Sequence, residues 1–185
     1  PRVINSRGKE ESAHIPPDGK TLYFSSNGHV GMGGLDIYVS QKMPNGKWSE
    51  PINLGYPINT HKDENSLSAS PNGEIAYLAL SRDGGFGNLD MYSFVLPKEV
   101  RPTPVTSAQE LVVEAVTMRP VEAKLRLSSV SSQSLISQLN SDAVTGEFLI
   151  ALPVGQTYAL SVTAEGYLFH SENFSLMENK SNEPY

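Results

Sequence analysis

The chain has 185 residues, 38% of them hydrophobic and 18% charged, which is ordinary for a globular protein of one or two domains. Its net charge of −6 disfavours nucleic acid and anionic lipid as partners of this segment, because both carry dense negative charge. The sequence has no cysteine, which excludes disulfides, thiolate metal sites and cysteine nucleophiles, and no apolar run approaches the roughly 20 residues that span a bilayer.

An internal repeat organises the first half of the chain. Residues 4–38 recur without a gap at an offset of 54 positions, so that Ile4 falls on Ile58. The best-matched stretch, Gly-x-Gly-x-Leu-Asp-x-Tyr, begins at Gly31 in the first copy and at Gly85 in the second. A period near 50 residues that is rich in glycine, proline and aromatic residues, with no helical apolar stripe, is typical of a β-propeller blade.

The first copy predicts a blade of four strands. A tight turn at 16–19 leads into a strand at 21–25, and a glycine-rich hairpin loop joins that strand to another at 35–39. Residues 12–15 precede the turn as the innermost strand. The Trp-containing segment 47–55 follows as the outer strand, where proline is tolerated.

The second copy repeats three of these strands and then departs from the pattern. We predict strands at 66–69, 75–80 and 89–95, with no Trp-containing fourth strand after them. A propeller needs about four to eight blades to close, so two blades would leave unpaired edges. We therefore expect residues 1–96 to be the last blades of a propeller, and the chain to be a fragment of a longer protein.

A second domain is predicted at 107–185, after a proline-rich linker at 97–106. The linker contains Pro97, Pro102 and Pro104. Short strands at even spacing favour a small β-sandwich, and the Ser- and Asn-rich stretch 130–144 is predicted to be a loop with one irregular strand. Other strands are predicted at 111–116, 123–127 and 157–164, with one more between the two turns of 145–155.

Two aspartates and two glycines of the repeated motif are candidate site residues. Asp36 and Asp90 could suggest paired carboxylates or a calcium site, but calcium takes about 6 to 8 oxygen ligands and no acidic cluster of that density is present. We interpret both as structural turn residues whose carboxylates accept backbone N–H groups. Gly33 and Gly87 are interpreted in the same way, because no Gly-Lys-Ser/Thr follows them as a phosphate-binding loop requires.

No catalytic, cofactor-binding or metal site is predicted. The four histidines are scattered without ligand spacing, and no serine lies in a nucleophile elbow. Met32 and Phe86 are the candidate partner-binding residues, because they are apolar, are flanked by glycines and occupy equivalent places in the two copies. The alternative is that both side chains pack between blades.

Two resemblances extend these predictions. The blades, with Pro-Asp-Gly at 17–19, Ser-Pro-Asn-Gly at 70–73 and the paired Gly-x-Gly-x-Leu-Asp-x-Tyr motifs, resemble the WD40-like (PD40 or TolB-like) propeller repeats of bacterial envelope proteins. The second domain, with Thr-Gly-Glu-Phe, Leu-Pro-Val-Gly and the segment 165–174, looks like a carboxypeptidase-regulatory-like domain of transthyretin-type fold. Their order is similar to that of the PorE-like, multidomain OmpA-family envelope proteins of Bacteroidota.

The family resemblance implies a non-catalytic periplasmic scaffold associated with the outer membrane. Its expected partners are outer-membrane β-barrel proteins or lipoproteins of an envelope complex, such as that of type IX secretion or outer-membrane biogenesis. Peptidoglycan would be bound by an OmpA-like domain that this sequence does not contain. The alternative is a propeller protein that binds or processes glycans or peptides, which requires convergent carboxylates or a catalytic triad.

Overall fold

The computed structural model describes residues 1–82 and 84–178. These residues form antiparallel β-sheets, none of which closes on itself, and they contain no α-helix. The only helix among them is a 3-10 helix of three residues, Lys98–Val100, which is far too short to cross a membrane. The chain divides into two compact units, Pro1–Pro104 and the residues from Val105 onward.

The first unit contains one sheet for each copy of the repeat. The first sheet has the order β1-β2-β3-β4 and the second has the order β5-β6-β7. The strand bounds are β1 (Glu10–His14), β2 (Thr21–Ser26), β3 (Asp36–Gln41), β4 (Ile52–Asn53), β5 (Asn65–Ala69), β6 (Ile75–Leu80) and β7 (Asp90–Val95).

The two sheets of the first unit share an apolar core. Tyr23, Ile37 and Val39 of the first sheet belong to the same buried cluster as Leu78 and Leu80 of the second. These side chains lie on one face of each sheet because successive residues of a strand alternate between faces. The repeat therefore stacks one sheet on the next.

The repeat extends to an unusual backbone conformation. Ser12 and Ser66 are equivalent positions, and both have left-handed φ angles, of 50° and 61°. Each lies where the strand pairing shifts register, in β1 and in β5. A bulge at the same place in both copies indicates that the first strand of each sheet bends in the same way.

The segment predicted as a linker packs largely on the first unit. Val100 is buried in the core between the sheets, and its carbonyl accepts a hydrogen bond from Tyr23 Oη at 2.5 Å. The N–H of Thr103 donates to Asp18 Oδ2 at 2.9 Å. Prolines remove N–H donors but leave carbonyls, so this segment can still bond to a sheet. Val105 already begins a strand of the second unit.

The second unit has a four-stranded sheet with the order β10-β9-β12-β13 and a two-stranded sheet of β11 and β8. Apolar side chains from both sheets form one core, which includes Leu127, Ile150, Leu152 and Tyr158. The strand bounds are β8 (Val105–Leu111), β9 (Lys124–Ser129), β10 (Leu135–Asn140), β11 (Glu147–Pro153), β12 (Thr157–Thr163) and β13 (His170–Ser175).

Candidate interaction surface

The carboxylates of the repeated motif organise the two glycine-rich loops. Asp36 Oδ2 accepts the N–H of Met32 at 2.5 Å and that of Gly33 at 3.3 Å. In the second copy, Asp90 Oδ2 accepts the N–H of Phe86 at 2.8 Å. Each aspartate begins its strand and closes the loop that precedes it, which is what Asx side chains do at turns. The loop conformation therefore recurs in the two repeats.

Glycine at the start of each motif leaves room for this carboxylate. A Cβ atom on Gly31 would stand 1.8 Å from Asp36 Oδ2, and one on Gly85 would stand 2.1 Å from Asp90 Oδ2. Both distances are far inside van der Waals contact, so a side chain at either position would displace the carboxylate. This steric requirement explains why the Gly and Asp positions of the motif occur together.

A buried asparagine in the segment between the two sheets bonds to the first sheet. Asn59 Oδ1 accepts the N–H of Ile37 at 2.8 Å, and Asn59 Nδ2 donates to the carbonyl of Ile37 at 2.9 Å and to Asn53 Oδ1 at 2.7 Å. The side-chain amide thus bonds both main-chain groups of one β3 residue, as a neighbouring strand would. Asn59 is fully buried, whereas its equivalent Asn5 is exposed.

The first glycine-rich loop also contacts the segment that begins the second repeat. A Cβ on Gly33 would stand within 2.5 Å of the carbonyls of Thr60 and Lys62, and the carbonyl of Leu35 accepts the N–H of Glu64 at 2.6 Å. The buried Glu64 carboxylate accepts both the N–H and the hydroxyl of Thr60, at 2.9 and 2.6 Å. The first glycine-rich loop is therefore packed against residues 60–64 of the same chain.

The sheet face that is buried in the first repeat is exposed in the second repeat. Tyr23 and Ile37 of the first sheet are both 0% exposed, whereas their equivalents Tyr77 and Met91 are 45% and 74% exposed. At the glycine equivalent to Gly33, a Cβ would meet no atom within 4 Å. The outward face of the second sheet is formed by Ile75, Tyr77, Met91 and Val95, all exposed, and is called the open face below.

The residues predicted to bind a partner lie in the two glycine-rich loops. Met32 is half exposed and Phe86 is fully exposed, so neither side chain is packed between sheets in the described structure. Phe86 lies in the loop that leads into β7. A role of either residue in binding stays a prediction.

Burial has an electrostatic consequence at Tyr23. Desolvation raises the pKa of its hydroxyl well above the ordinary tyrosine range, and the Asp18 carboxylate raises this pKa further. The neutral hydroxyl is thereby kept as a donor to the Val100 carbonyl.

The histidines and carboxylates of the described residues form no metal centre. Within 1–82 and 84–178, no three His, Asp or Glu side chains are grouped so that they could hold a metal ion. His29 instead places Nε2 2.8 Å from the carbonyl of Ile4, and its ring packs edge-on against Phe24.

Sequence reasoning missed the roles of Asn59 and Glu64 and the exposure of the open face. The repeat contained part of the signal, because Asn5 matches Asn59 and Glu10 matches Glu64. A polar residue at matched positions next to apolar neighbours is a candidate for a main-chain contact between repeats.

Comparisons with known proteins add little to this description. No protein family matches the chain, and no curated protein matches it. Among solved structures, the chain is similar to one described as "Biofilm associated protein - BSP domain", with 10% identity and a TM-score of 0.25. The match covers 93% of this chain and 30% of that one. The sheets themselves define the class, an all-β protein of antiparallel sheets in two units.

Proposed function

We propose that the first unit is two adjacent blades of a β-propeller, that the second is a small transthyretin-like β-sandwich, and that the protein is a non-catalytic scaffold. The observation that carries this proposal is the contrast between Tyr23 and Ile37, which are buried by the next sheet, and Tyr77 and Met91, which are not. Blades bury such faces against one another, so the open face is suited to a further protein surface.

The chemistry of the open face supports protein binding. Its exposed side chains are mostly aliphatic, and contiguous apolar surface of this kind is typical of interaction sites. Within the described residues, β7 pairs only with β6, so its outer edge offers free main-chain N–H and C=O groups. A partner could therefore bind by apolar contact and by strand addition together.

The location and partners in this proposal come from the family resemblance. We place the protein in the periplasm, associated with the outer membrane, in a complex with an outer-membrane β-barrel protein or a lipoprotein. Type IX secretion and outer-membrane biogenesis are the processes that such a complex would serve. Attachment to peptidoglycan would be through an OmpA-like domain.

Site-specific photo-crosslinking in the native envelope tests the proposal. A photo-reactive amino acid at Met91, on the open face, is expected to crosslink to an envelope protein. The same amino acid at Leu149, exposed on β11 of the second unit, is the matched control and should give little product.

The product at Met91 distinguishes the two parts of the proposal. A crosslink to a different polypeptide supports the scaffold function. A crosslink only to another part of the same polypeptide would support propeller blades but contradict a scaffold role for the open face. Equal amounts of crosslinked product at Met91 and Leu149 would contradict the proposal that the open face is a binding surface.

A further inference from the structure

The second unit contains a large cavity that the proposed scaffold function does not use. Its volume is about 910 Å³, and side chains from both sheets of the unit line it. The two-stranded sheet contributes Phe148 and Ile150, and the four-stranded sheet contributes Leu125, Leu160 and Val162. Ligand-binding cavities commonly have volumes of about 300 to 1,000 Å³ and mostly apolar linings.

The cavity adjoins closely packed side chains of the second unit. Leu152 and Tyr158, which do not line the cavity, are fully buried, and Tyr158 Oη donates to the Pro153 carbonyl at 2.5 Å. The Tyr158 ring stacks on Phe174, which does line the cavity. Burial raises the pKa of Tyr158 to about 12.

Three carboxylates are among the polar groups that line the cavity. Glu110 pairs directly with Phe148 across the two-stranded sheet, and Glu172 pairs with Leu160 across the larger one, so both share the faces that line the cavity. Glu114 also lines it, and His170 Nε2 lies 3.8 Å from Glu172 Oε2. No lysine or arginine lines it in the described part of the chain.

We propose that this cavity binds a single-chain amphiphile with a cationic head group. The hydrocarbon chain would occupy the aliphatic interior, where burial of apolar surface favours binding. The head group would lie beside Glu110 and Glu172, which are both exposed and have no lysine or arginine among the lining residues as a competing partner. The same carboxylates would repel an anionic amphiphile.

Calorimetric titration of the whole chain with dodecyltrimethylammonium, below its critical micelle concentration, tests the proposal. We expect one molecule bound per chain. Tetramethylammonium supplies the head without the hydrocarbon and should not bind, and dodecyl sulfate should bind at least about tenfold more weakly. Shortening the hydrocarbon by one methylene should weaken binding about fourfold, from about 0.8 kcal/mol per methylene. Binding of dodecyl sulfate with equal affinity would overturn the assignment of a cationic head.

Two sets of variants locate the binding. Val162→Trp fills the cavity, and we expect binding to fall below detection while circular dichroism shows an intact fold. If that variant does not fold, Val162→Phe fills less of the cavity and should weaken binding at least about tenfold. Unchanged affinity in the folded variant would overturn the site.

The charge variants use a matched control. Glu110→Gln with Glu172→Gln should weaken dodecyltrimethylammonium about tenfold and leave the uncharged dodecyl maltoside unaffected. Glu147→Gln removes one carboxylate charge from a β11 residue outside the lining and should change neither affinity. An equal loss in Glu147→Gln would show a general effect of net charge and would overturn the proposal.

Discussion

At the scale of single residues, buried side chains stabilise the first unit by hydrogen bonding to its main chain. Asn59 satisfies the N–H and carbonyl of Ile37, and Asp36 satisfies two N–H groups of its loop. Both side chains are buried, and loss of either removes an acceptor from main-chain N–H groups, that of Ile37 for Asn59 and those of Met32 and Gly33 for Asp36. We expect both residues to act on folding.

Asn59→Ala should destabilise the protein by about 1 to 3 kcal/mol, because it leaves the buried N–H of Ile37 unpaired, whereas the Ile37 carbonyl still accepts the N–H of Leu54. Denaturant unfolding measures the change. Asn5→Ala is the matched control, since Asn5 is exposed and its described side-chain bond goes to the Pro1 carbonyl. We expect about 0.5 kcal/mol or less from it. Equal losses would contradict the role assigned to Asn59.

Asp36→Ala and Asp90→Ala should both lower the melting temperature. The Asp36 substitution should lower the free energy of unfolding more, by about 1 to 3 kcal/mol. Asp36 is buried and accepts two N–H groups, whereas Asp90 is partly exposed and accepts one. If either variant kept full thermal stability and lost binding of calcium, the structural role would be wrong.

The raised pKa of Tyr23 predicts that the stability of the protein depends on pH in the alkaline range. Its folded-state pKa is raised, so the unfolded chain loses this proton at a lower pH than the folded one. The contribution of this raised pKa to the free energy of unfolding is fully present below the unfolded pKa of about 10 and decreases as pH rises above it. Tyr23→Phe should therefore show a smaller loss of unfolding free energy between neutral pH and pH values above about 10 than the parent protein. An identical pH dependence in the two proteins would contradict this.

At the scale of elements, the sequence predicted strands best where a short run of apolar, aromatic or β-branched residues lay between turns. β2 and β6 lie within a residue of their predicted bounds, because their apolar residues and flanking glycines determine both the faces and the ends. The predicted strand at 111–116 was wrong: β8 ends at Leu111, and residues beyond it form a turn in which Met118 N–H donates to the Glu114 carbonyl. A more polar segment, 105–110, is the strand because it pairs with β11.

Other elements depended on tertiary contacts that a single sequence does not contain. The predicted outer strand at 47–55 is reduced to β4, with one bridge between Lys42 and Trp48. No strand was predicted at β13, whose mostly polar residues pair with β12. Among the described residues the second repeat has three strands, as its shortened pattern indicated. The exposure of Tyr77 was likewise unpredictable, because an identical tyrosine in the first repeat is buried.

The loops give a prediction at this scale. The double variant Met32→Ser with Phe86→Ser should stay folded, because both side chains are exposed and contribute little to packing. It should dissociate from the envelope complex, since loss of an apolar anchor typically costs about 2 kcal/mol or more of binding. Co-purification with crosslinked partners measures this. Unfolding, or unchanged co-purification, would reject the two residues as contacts.

At the scale of the whole molecule, the chain has two units with different character. The first repeats one sheet and leaves the second copy of a normally buried face uncovered. The second packs two unlike sheets around a shared core and a cavity. We propose that the first unit offers a surface for a protein partner and that the second offers a site for a small amphiphile.

Hydrogen exchange at β7 tests the central claim, that the open face is a binding surface, most directly. In the isolated chain, the amides of β3 are covered by the second repeat and should be strongly protected, whereas those on the outer edge of β7 should exchange faster. In the purified envelope complex, β7 should become protected while β3 does not change. Protection of β7 equal to that of β3 in the isolated chain, or no gain in the complex, would contradict the claim.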